Sequence, residues 1–249
     1  ETLHELKIPE EKLFGICLGV PGLIDIVNNR VITSTIVPID ENNDFFSHIK
    51  KRFDGISVFL GNESWFSAYA EKEFGTDVNV NNLVFIDINT GVGAGIIVNG
   101  KIFTGSQGLA GEIGHMSIDM NGPLCKCGNR GCLETMISIP AIAESIISKL
   151  NYESSSILDL DKNMLDECTK NSSQIDIIQN AYYSNNYMAR ETVDLAARRL
   201  AFGITNIINF INPEIVVIGG EITKLGEEFL EKIRSYMKDI QLKPNKGKV

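Results

Sequence analysis

Four side chains in one short stretch have the types and spacing of a metal site. They are His115, in Gly111-Glu112-Ile113-Gly114-His115, and Cys125, Cys127 and Cys132, in Cys125-Lys126-Cys127-Gly128-Asn129-Arg130-Gly131-Cys132. One imidazole and three thiolates form a set that Zn²⁺ prefers in a tetrahedron, and they leave no open position for a reactive water, so the metal predicted here is structural. A disulfide with one thiol left over, or three unrelated core thiols, are the competing readings. A Cys-x-Cys pair is too tight for an easy disulfide with itself, whereas Gly128 and Gly131 permit the sharp turns that would gather three sulfurs round one ion. Cys17 and Cys168 lie far from this cluster, and Cys17, inside the apolar run Leu13 to Val20, is expected to be a buried, inert thiol.

Two glycine-rich stretches invite a second chemistry. Asn89-Thr90-Gly91-Val92-Gly93-Ala94-Gly95 allows a phosphate to approach backbone N–H groups, with the Thr90 hydroxyl beside it, and is equally well a plain turn. Gly219-Gly220, after a buried strand, carries the same pair of readings: a phosphate or adenine cradle, or a tight turn. Asn62 and Glu63 stand at a strand-to-helix junction, where loops at the carboxyl ends of strands line the crevice of α/β folds.

The elements that must position these residues follow from periodicity. Leu13 to Val20 has a buried-strand pattern ending at Pro21-Gly22, and Ile56 to Leu60 a second one, leading into a helix over Glu63 to Phe74 with Phe66, Tyr69, Ala70 and Phe74 at helical spacing. The polar stretch Thr76 to Asn82 is expected to be a linker. Beyond it, Leu83 to Ile88 is predicted as a strand, and Gly93 to Val98 with Lys101 to Thr104 as a hairpin closed by Asn99-Gly100. Ile139 to Leu200 is mostly helical in pattern, with polar breaks around Asn151 to Ser156 and Tyr183 to Asn186. An apolar helix from roughly Val193 to Ile211 stops at Asn212-Pro213, before a strand over Ile215 to Ile218.

The chain has 249 residues, 43% hydrophobic and 22% charged, the balance of a globular protein of one or two domains. No run of apolar residues is long enough to span a bilayer and no charged leader precedes an apolar core, so a cytoplasmic address without membrane contact is expected, in keeping with thiols held as metal ligands. A net charge of -9 argues against nucleic-acid binding by these residues themselves. The chain starts at Glu1 inside an amphipathic pattern and stops at Pro244-Asn245-Lys246-Gly247-Lys248-Val249 with no closing element, so it is expected to be cut at both ends.

Gly19-Val20-Pro21-Gly22, Thr90 to Gly95, Gly111 to His115, the Cys125 to Cys132 cluster with Glu134, and Asn212-Pro213-Glu214-Ile215-Val216-Val217-Ile218-Gly219-Gly220 together resemble the ROK family, over nearly the whole chain and in the right order. That family joins sugar kinases and sugar-responsive transcriptional repressors. The resemblance implies an α/β, actin-like (ribonuclease-H-like) two-lobed fold, truncated at both ends, in which residues 1–78 are the remainder of the N-terminal lobe and residues 79–249 the C-terminal lobe with the zinc motif. By the same resemblance His115, Cys125, Cys127 and Cys132 hold Zn²⁺, and Asn62, Glu63, Glu112, His115 and Glu134 bind sugar hydroxyls. Thr90, Gly91, Gly93, Gly219 and Gly220 are the positions for a nucleotide. The chemistry suits a neutral sugar: carboxylates accept strong hydrogen bonds from vicinal hydroxyls, and a metal on one imidazole nitrogen leaves the other N–H free to donate.

Family kinases carry Asp where this chain has Glu63, and one added methylene displaces the base by about an ångström, a shift that can cost on the order of 10²-fold in rate. Trp65, where a small or amide residue is usual, and Glu221 after the Gly-Gly turn are further departures. The run from Gly114 to Cys132 resembles especially the xylose-type repressors of the family. The chain is therefore expected to be the sugar-binding effector portion of a dimeric ROK repressor, acting on DNA through a winged helix-turn-helix outside these residues. The alternative is a divergent, glucokinase-like ATP- and Mg²⁺-dependent kinase with Glu63 as catalytic base.

Overall fold

The computed structural model describes residues 12–26, 28–34, 45–75, 79–153 and 173–242, with Glu5, Lys7 and Pro9 as isolated positions. Two strands, β1 (Ile16–Val20) and β4 (Val58–Asn62), pair in parallel from Ile16↔Val58 to Val20↔Asn62. An antiparallel hairpin, β2 (Leu23–Asp25) and β3 (Arg30–Thr33), lies against one face of that pair and buries Ile24 and Val31 with Val20, Leu60 and Trp65. Asn29, at φ 52°, ties hairpin to strand: its Nδ2 donates to Val58 O at 2.9 Å and its Oδ1 accepts from Leu60 N at 2.9 Å, as a neighbouring strand would. Helix α1 (Phe45–Arg52) ends in Lys50, Lys51 and Arg52, the charge that a helix carboxyl terminus favours.

The larger sheet has the order β7-β6-β5-β8, from β5 (Leu83–Ile88), β6 (Val92–Val98), β7 (Lys101–Ile102) and β8 (Ile215–Gly219). β5 runs antiparallel to β6 and parallel to β8, so β5 and β8 deliver their carboxyl ends, and the turns that follow, to the same edge. Val84, Ile86 and Ile88 face a helical layer made of α3 (Glu134–Ile137), α4 (Ile139–Glu153), α5 (Gln174–Tyr183), α6 (Tyr187–Ile211) and α7 (Gly226–Ile240). α6 starts where the Asn186 side chain accepts from Ala189 N at 3.0 Å and ends at Asn212, in the left-handed region before Pro213. Its stripe Val193, Ala197, Leu200, Ala201, Ile204 and Ile208 is fully buried, and each large aliphatic side chain contributes about 1.5–3 kcal/mol by leaving water. None of the described helices is long and apolar enough to cross a membrane.

The opposite face of the sheet takes α2 (Glu63–Phe74), which touches both sheets. A Cβ on Gly95 would stand 2.0 Å from Ser64 O and 2.4 Å from Ala68 Cβ, so this glycine is what lets α2 lie on β6 at backbone contact. On its other side the Phe66 ring lies over Gly19 and Gly61. Trp65, buried within the hairpin cluster, also packs near Gly108 and so links that cluster to the loop after β7.

The strands begin two or three residues later than the sequence predicts, at Ile16 and Val58, and α6 begins six residues before Val193. Asn99 and Gly100 both take positive φ, as the hairpin turn requires. Cys17 is a correction: it is exposed, because α2 covers only the Gly19–Gly61 end of that sheet face and leaves Cys17 and its partner Phe59 open. The stretch expected to be a linker is held rather than loose at its end, where Glu214 Oε2 accepts from Asn81 N at 2.8 Å and Asn82 N at 2.7 Å. Cys168, the polar break at 154–156, residues 76–78 and the tail 244–249 lie outside the described residues.

Candidate functional site

His115, Cys125, Cys127 and Cys132 converge, with one ligand atom from each lying within 4.8 Å of every other. His115 closes a 3₁₀ turn, Ile113–His115, that sits on β6 because Gly111 and Gly114 admit close backbone contact: a Cβ on either would stand 2.0 Å from Ala94 O or 2.2 Å from Val92 O. The cysteines come from a loop folded on itself by Cys125 N→Asn129 O at 2.7 Å and Gly131 N→Pro123 O at 2.8 Å, with Gly131 at φ +64° against Asp119 O. Two edges of the cluster are Cys125 Sγ to His115 Nδ1 at 3.7 Å and Cys127 Sγ to Cys132 Sγ at 3.6 Å. A tetrahedron with Zn–S of about 2.3 Å and Zn–N of about 2.0 Å has edges of about 3.5–3.8 Å, so the donor set fits zinc and its sulfurs stand too far apart for a disulfide. Burial pushes the Cys132 thiol up to about 12, so metal uptake at this ligand must release a proton.

With Nδ1 turned to the cluster, His115 Nε2 faces Glu112, 3.9 Å from its Oε2, too long for a hydrogen bond and leaving both groups free to meet a third. The Glu112 carboxyl is half-buried, and burial raises its pKa, opposed by His115 and reinforced by Glu134. Glu134 opens α3 next to the Cys125–Cys132 loop, and its Oε2 accepts from Val92 N at 3.0 Å. Glu63 is the first residue of α2, half-buried, and burial followed by the charge of Asp87 raises its pKa. Asn62 caps that helix through Ser64 N→Oδ1 at 2.8 Å and donates Nδ2 to Gly22 O at 3.0 Å. Glu112, His115 and Glu134 thus gather over the start of β6, whose other side carries the Ser64 end of α2.

The nucleotide positions suggested by sequence lie at the carboxyl ends of β5 and β8. Thr90 and Gly91 form the β5–β6 turn, closed by Asn89 N→Gly91 O at 2.9 Å. Gly93 gives room to Ser64 Oγ, 3.0 Å from where its Cβ would be, and Gly219 gives room to the Phe85 ring. Gly220 has φ +86°. Sequence reasoning passed over Asp87 and Asn89. Asp87 is half-buried with its pKa raised by burial, against the bond it accepts on Oδ1 from Asn89 Nδ2 at 2.8 Å, and Asn89 Oδ1 accepts from Glu221 N at 2.7 Å. The one available signal was a carboxylate inside the otherwise apolar run Leu83-Val84-Phe85-Ile86-Asp87-Ile88.

The sequence model of the ROK family matches residues 1–249. The chain is 36% identical over 223 residues to the xylose repressor of Bacillus spizizenii, covering 90% of this chain and 52% of that protein. It is 32% identical over 242 residues to the DNA-binding transcriptional dual regulator NagC of Escherichia coli, covering 96% and 56%. The chain spans about half the length of the curated relatives it matches. Among solved structures, a ROK family transcriptional regulator, homolog of the Escherichia coli Mlc protein, superposes with a TM-score of 0.80 at 29% identity over 97% of this chain and 58% of that one. A ROK family glucokinase from Streptomyces griseus, in complex with glucose and AMPPNP, gives 0.75 at 23% identity over 90% and 71%, a likeness of fold alone. The expected actin-like α/β fold is therefore the observed one.

Proposed function

Because the chain belongs to the ROK family, we propose that it is the sugar-sensing portion of a sugar-responsive transcriptional repressor, cytoplasmic and dimeric, with DNA contacted by a segment outside these residues. The observation that carries this reading is the pairing of repressor relatives above 30% identity with a cluster of acceptors and one imidazole donor over the start of β6. In this reading residues 79–249 form the C-terminal lobe and residues 1–78 part of the N-terminal one, and a small neutral sugar, of which xylose is the first to try, sits between them. Glu112 and Glu63 accept from its hydroxyls, Asn62 contributes the valences its capping bonds leave over, and Glu134 offers its second oxygen. His115 donates from Nε2. Zinc on His115, Cys125, Cys127 and Cys132 supplies ring orientation and loop order, and no reactive chemistry. Sugar that binds one lobe angle better than another shifts that equilibrium by its differential affinity.

Calorimetric titration of the zinc-loaded protein with a panel of neutral sugars, each with and without Mg-ATP, tests the reading. Saturable heat from one sugar, indifferent to ATP and without ADP release, is the expected result, and no heat from any sugar would sink it. A second reading, the sugar kinase, draws on Glu63: a carboxyl raised by burial is moved toward the range of a general base. ADP release dependent on sugar and lost in Glu63→Gln would select it.

A further inference from the structure

Glu63 opens α2, whereas Glu112 follows a strap, residues 104–111, that leaves β7 and returns to β6. The ends of the strap are fastened: Phe103 N donates to Ile96 O at 2.8 Å, Ala110 N to Thr104 O at 3.1 Å, and Ala94 N to Gly111 O at 2.8 Å. Its tip is held differently. Among the described residues, the one hydrogen bond made by Gly105 to Leu109 is local, from the Thr104 hydroxyl to Gly105 O at 3.3 Å. What the tip meets is packing. At Gly108, with φ +75°, a Cβ would stand 2.5 Å from Ile24 O of the β2–β3 hairpin and 3.6 Å from Trp65 Cη2. Trp65 is the only tryptophan of the chain, is 5% exposed, and stands on α2 two residues after Glu63. Its cluster joins Val20 of β1 and Leu60 of β4 to Ile24 and Val31 of the hairpin, and Ile102, the last residue of β7, packs against it. One ring therefore lies beside the root of the strap, beneath its tip, and at the start of α2.

We propose that Trp65 is a positioning residue of the sugar site: by seating the strap against α2 and the hairpin, it sets the separation between Glu63 and Glu112. The role rests on the sugar-binding reading given above. Two carboxylates serve the hydroxyls of one small sugar at a narrow range of separations, because O–H···O bonds hold only over about 2.5–3.0 Å. On its carboxyl side Glu112 takes its place from the turn that Gly114 lays on β6, and on its amino side from the strap. A close-packed ring passes a displacement on, where a void would absorb it. Because the strap tip rests on Ile24 and Trp65, a movement of the hairpin or of α2 reaches Glu112 through this one contact. Trp65 thus couples the two sets of sugar contacts without touching the sugar.

Two variants test this: Trp65→Ala at the ring, and Gly108→Ala at the strap, where a methyl at positive φ meets Ile24 O and lifts the tip. Without sugar, the emission of the single tryptophan in zinc-loaded Gly108→Ala is expected to shift to the red and to become more open to acrylamide quenching than in wild type. Unchanged emission and quenching would overturn the proposal whether or not any sugar binds. With the sugar found by calorimetry, both variants are expected to bind at least about tenfold more weakly. The loss should fall on Glu112 alone. Glu112→Gln is expected to weaken binding in the wild-type background and to add little in the Gly108→Ala background, whereas Glu63→Gln costs the same in both. A merely structural role for Trp65 predicts equal costs for each carboxylate in the two backgrounds, and that result also overturns the proposal. If no sugar gives heat with the wild type, the sugar reading fails by itself, and the emission of Gly108→Ala still decides whether Trp65 seats the strap. Should Trp65→Ala not fold, Gly108→Ala, with the ring intact, carries both measurements.

Discussion

The zinc loop and the paired turns after β5 and β8 both flank the start of β6, and both are rich in glycine, yet they use it oppositely. In the zinc loop, Gly111, Gly114 and Gly131 press backbone on backbone so that side chains project from a rigid base, and His115 Nε2 and Glu112 keep valences to offer. In the turns, Gly93, Gly219 and Gly220 make room for neighbours of the same chain, and the Glu221 and Val92 N–H groups go to Asn89 and Glu134. What separates a candidate site from a well-packed turn is thus where the polar valences end, and glycine content does not report that. The largest expected effect probes this contrast at its base. If Zn²⁺ orders this loop as proposed, chelation, or Cys132→Ser at a buried member of the cluster, is expected to remove that order, since zinc binding of this kind is worth about 10 kcal/mol or more in small zinc domains. Hydrogen exchange should show residues 115–132 opening while β5 and α6 stay protected, the melting temperature should fall by about 10 °C or more, and sugar heat should vanish. Retained loop protection in the metal-free protein would break the comparison.

A smaller effect is expected where α2 meets β6. Gly95→Ala drives its methyl into Ser64 O and Ala68, backbone and core, with no flexible tip to yield. Overpacking of this sort costs about 1–3 kcal/mol, and α2 must shift as a unit, carrying Glu63 and Asn62 with it. Chemical denaturation and sugar titration should therefore both respond. Gly128→Ala is the control, since no atom lies within 4 Å of its Cβ position and the only penalty is the φ of +91°, about 1 kcal/mol. Equal losses in the two variants would mean that the α2 contact is softer than its geometry.

Glu134 sharpens the contrast because it belongs to both regions. Glu134→Ala leaves the buried Val92 N–H without an acceptor, at a cost of about 1–3 kcal/mol, whereas Glu134→Gln keeps a carbonyl for it. Denaturant midpoints should then rank wild type and Gln together above Ala. Sugar affinity should fall in both variants if the second carboxylate oxygen meets a hydroxyl, and a Gln variant with wild-type affinity would confine Glu134 to bracing the turn.

Much of this was legible in the sequence for a physical reason: the convergence of His115, Cys125, Cys127 and Cys132, and α2, depend on residue type and short spacing, which a linear reading sees. The Cys-x-Cys pair, the helix from Glu63 and the Asn99-Gly100 turn are all local. The misses are non-local. Cys17 sits in an apolar run, but its exposure depends on how far α2 reaches across the face, and α1 with the β2–β3 hairpin owes its place to packing on Val20 and Leu60. Asn89 passes in sequence for an ordinary turn residue. Its role depends on β8 bringing Glu221 N to within 2.7 Å of it, across 132 residues of chain.

The smallest effect tests the turns through pH. Burial raises the Asp87 carboxyl above its ordinary value, so the folded protein holds that proton more tightly than the unfolded chain does. The sign follows: the group's contribution to stability is fully present below the unfolded pKa of about 3.9 and is lost as pH rises through the higher folded value. At pH 7 the ionised Asp87 therefore works against the fold, and its charge also raises Glu63. Asp87→Asn keeps an oxygen for Asn89 Nδ2 and removes that charge. Its melting temperature is expected to exceed that of wild type at pH 7 by a small margin, since solvent screens a half-buried carboxylate, and the two curves should converge as pH falls toward 4. A variant less stable than wild type at pH 7 would show that the carboxylate is held by a favourable partner, and the turns would then have to be counted with the zinc loop, as a place where this protein keeps charge ready for a ligand.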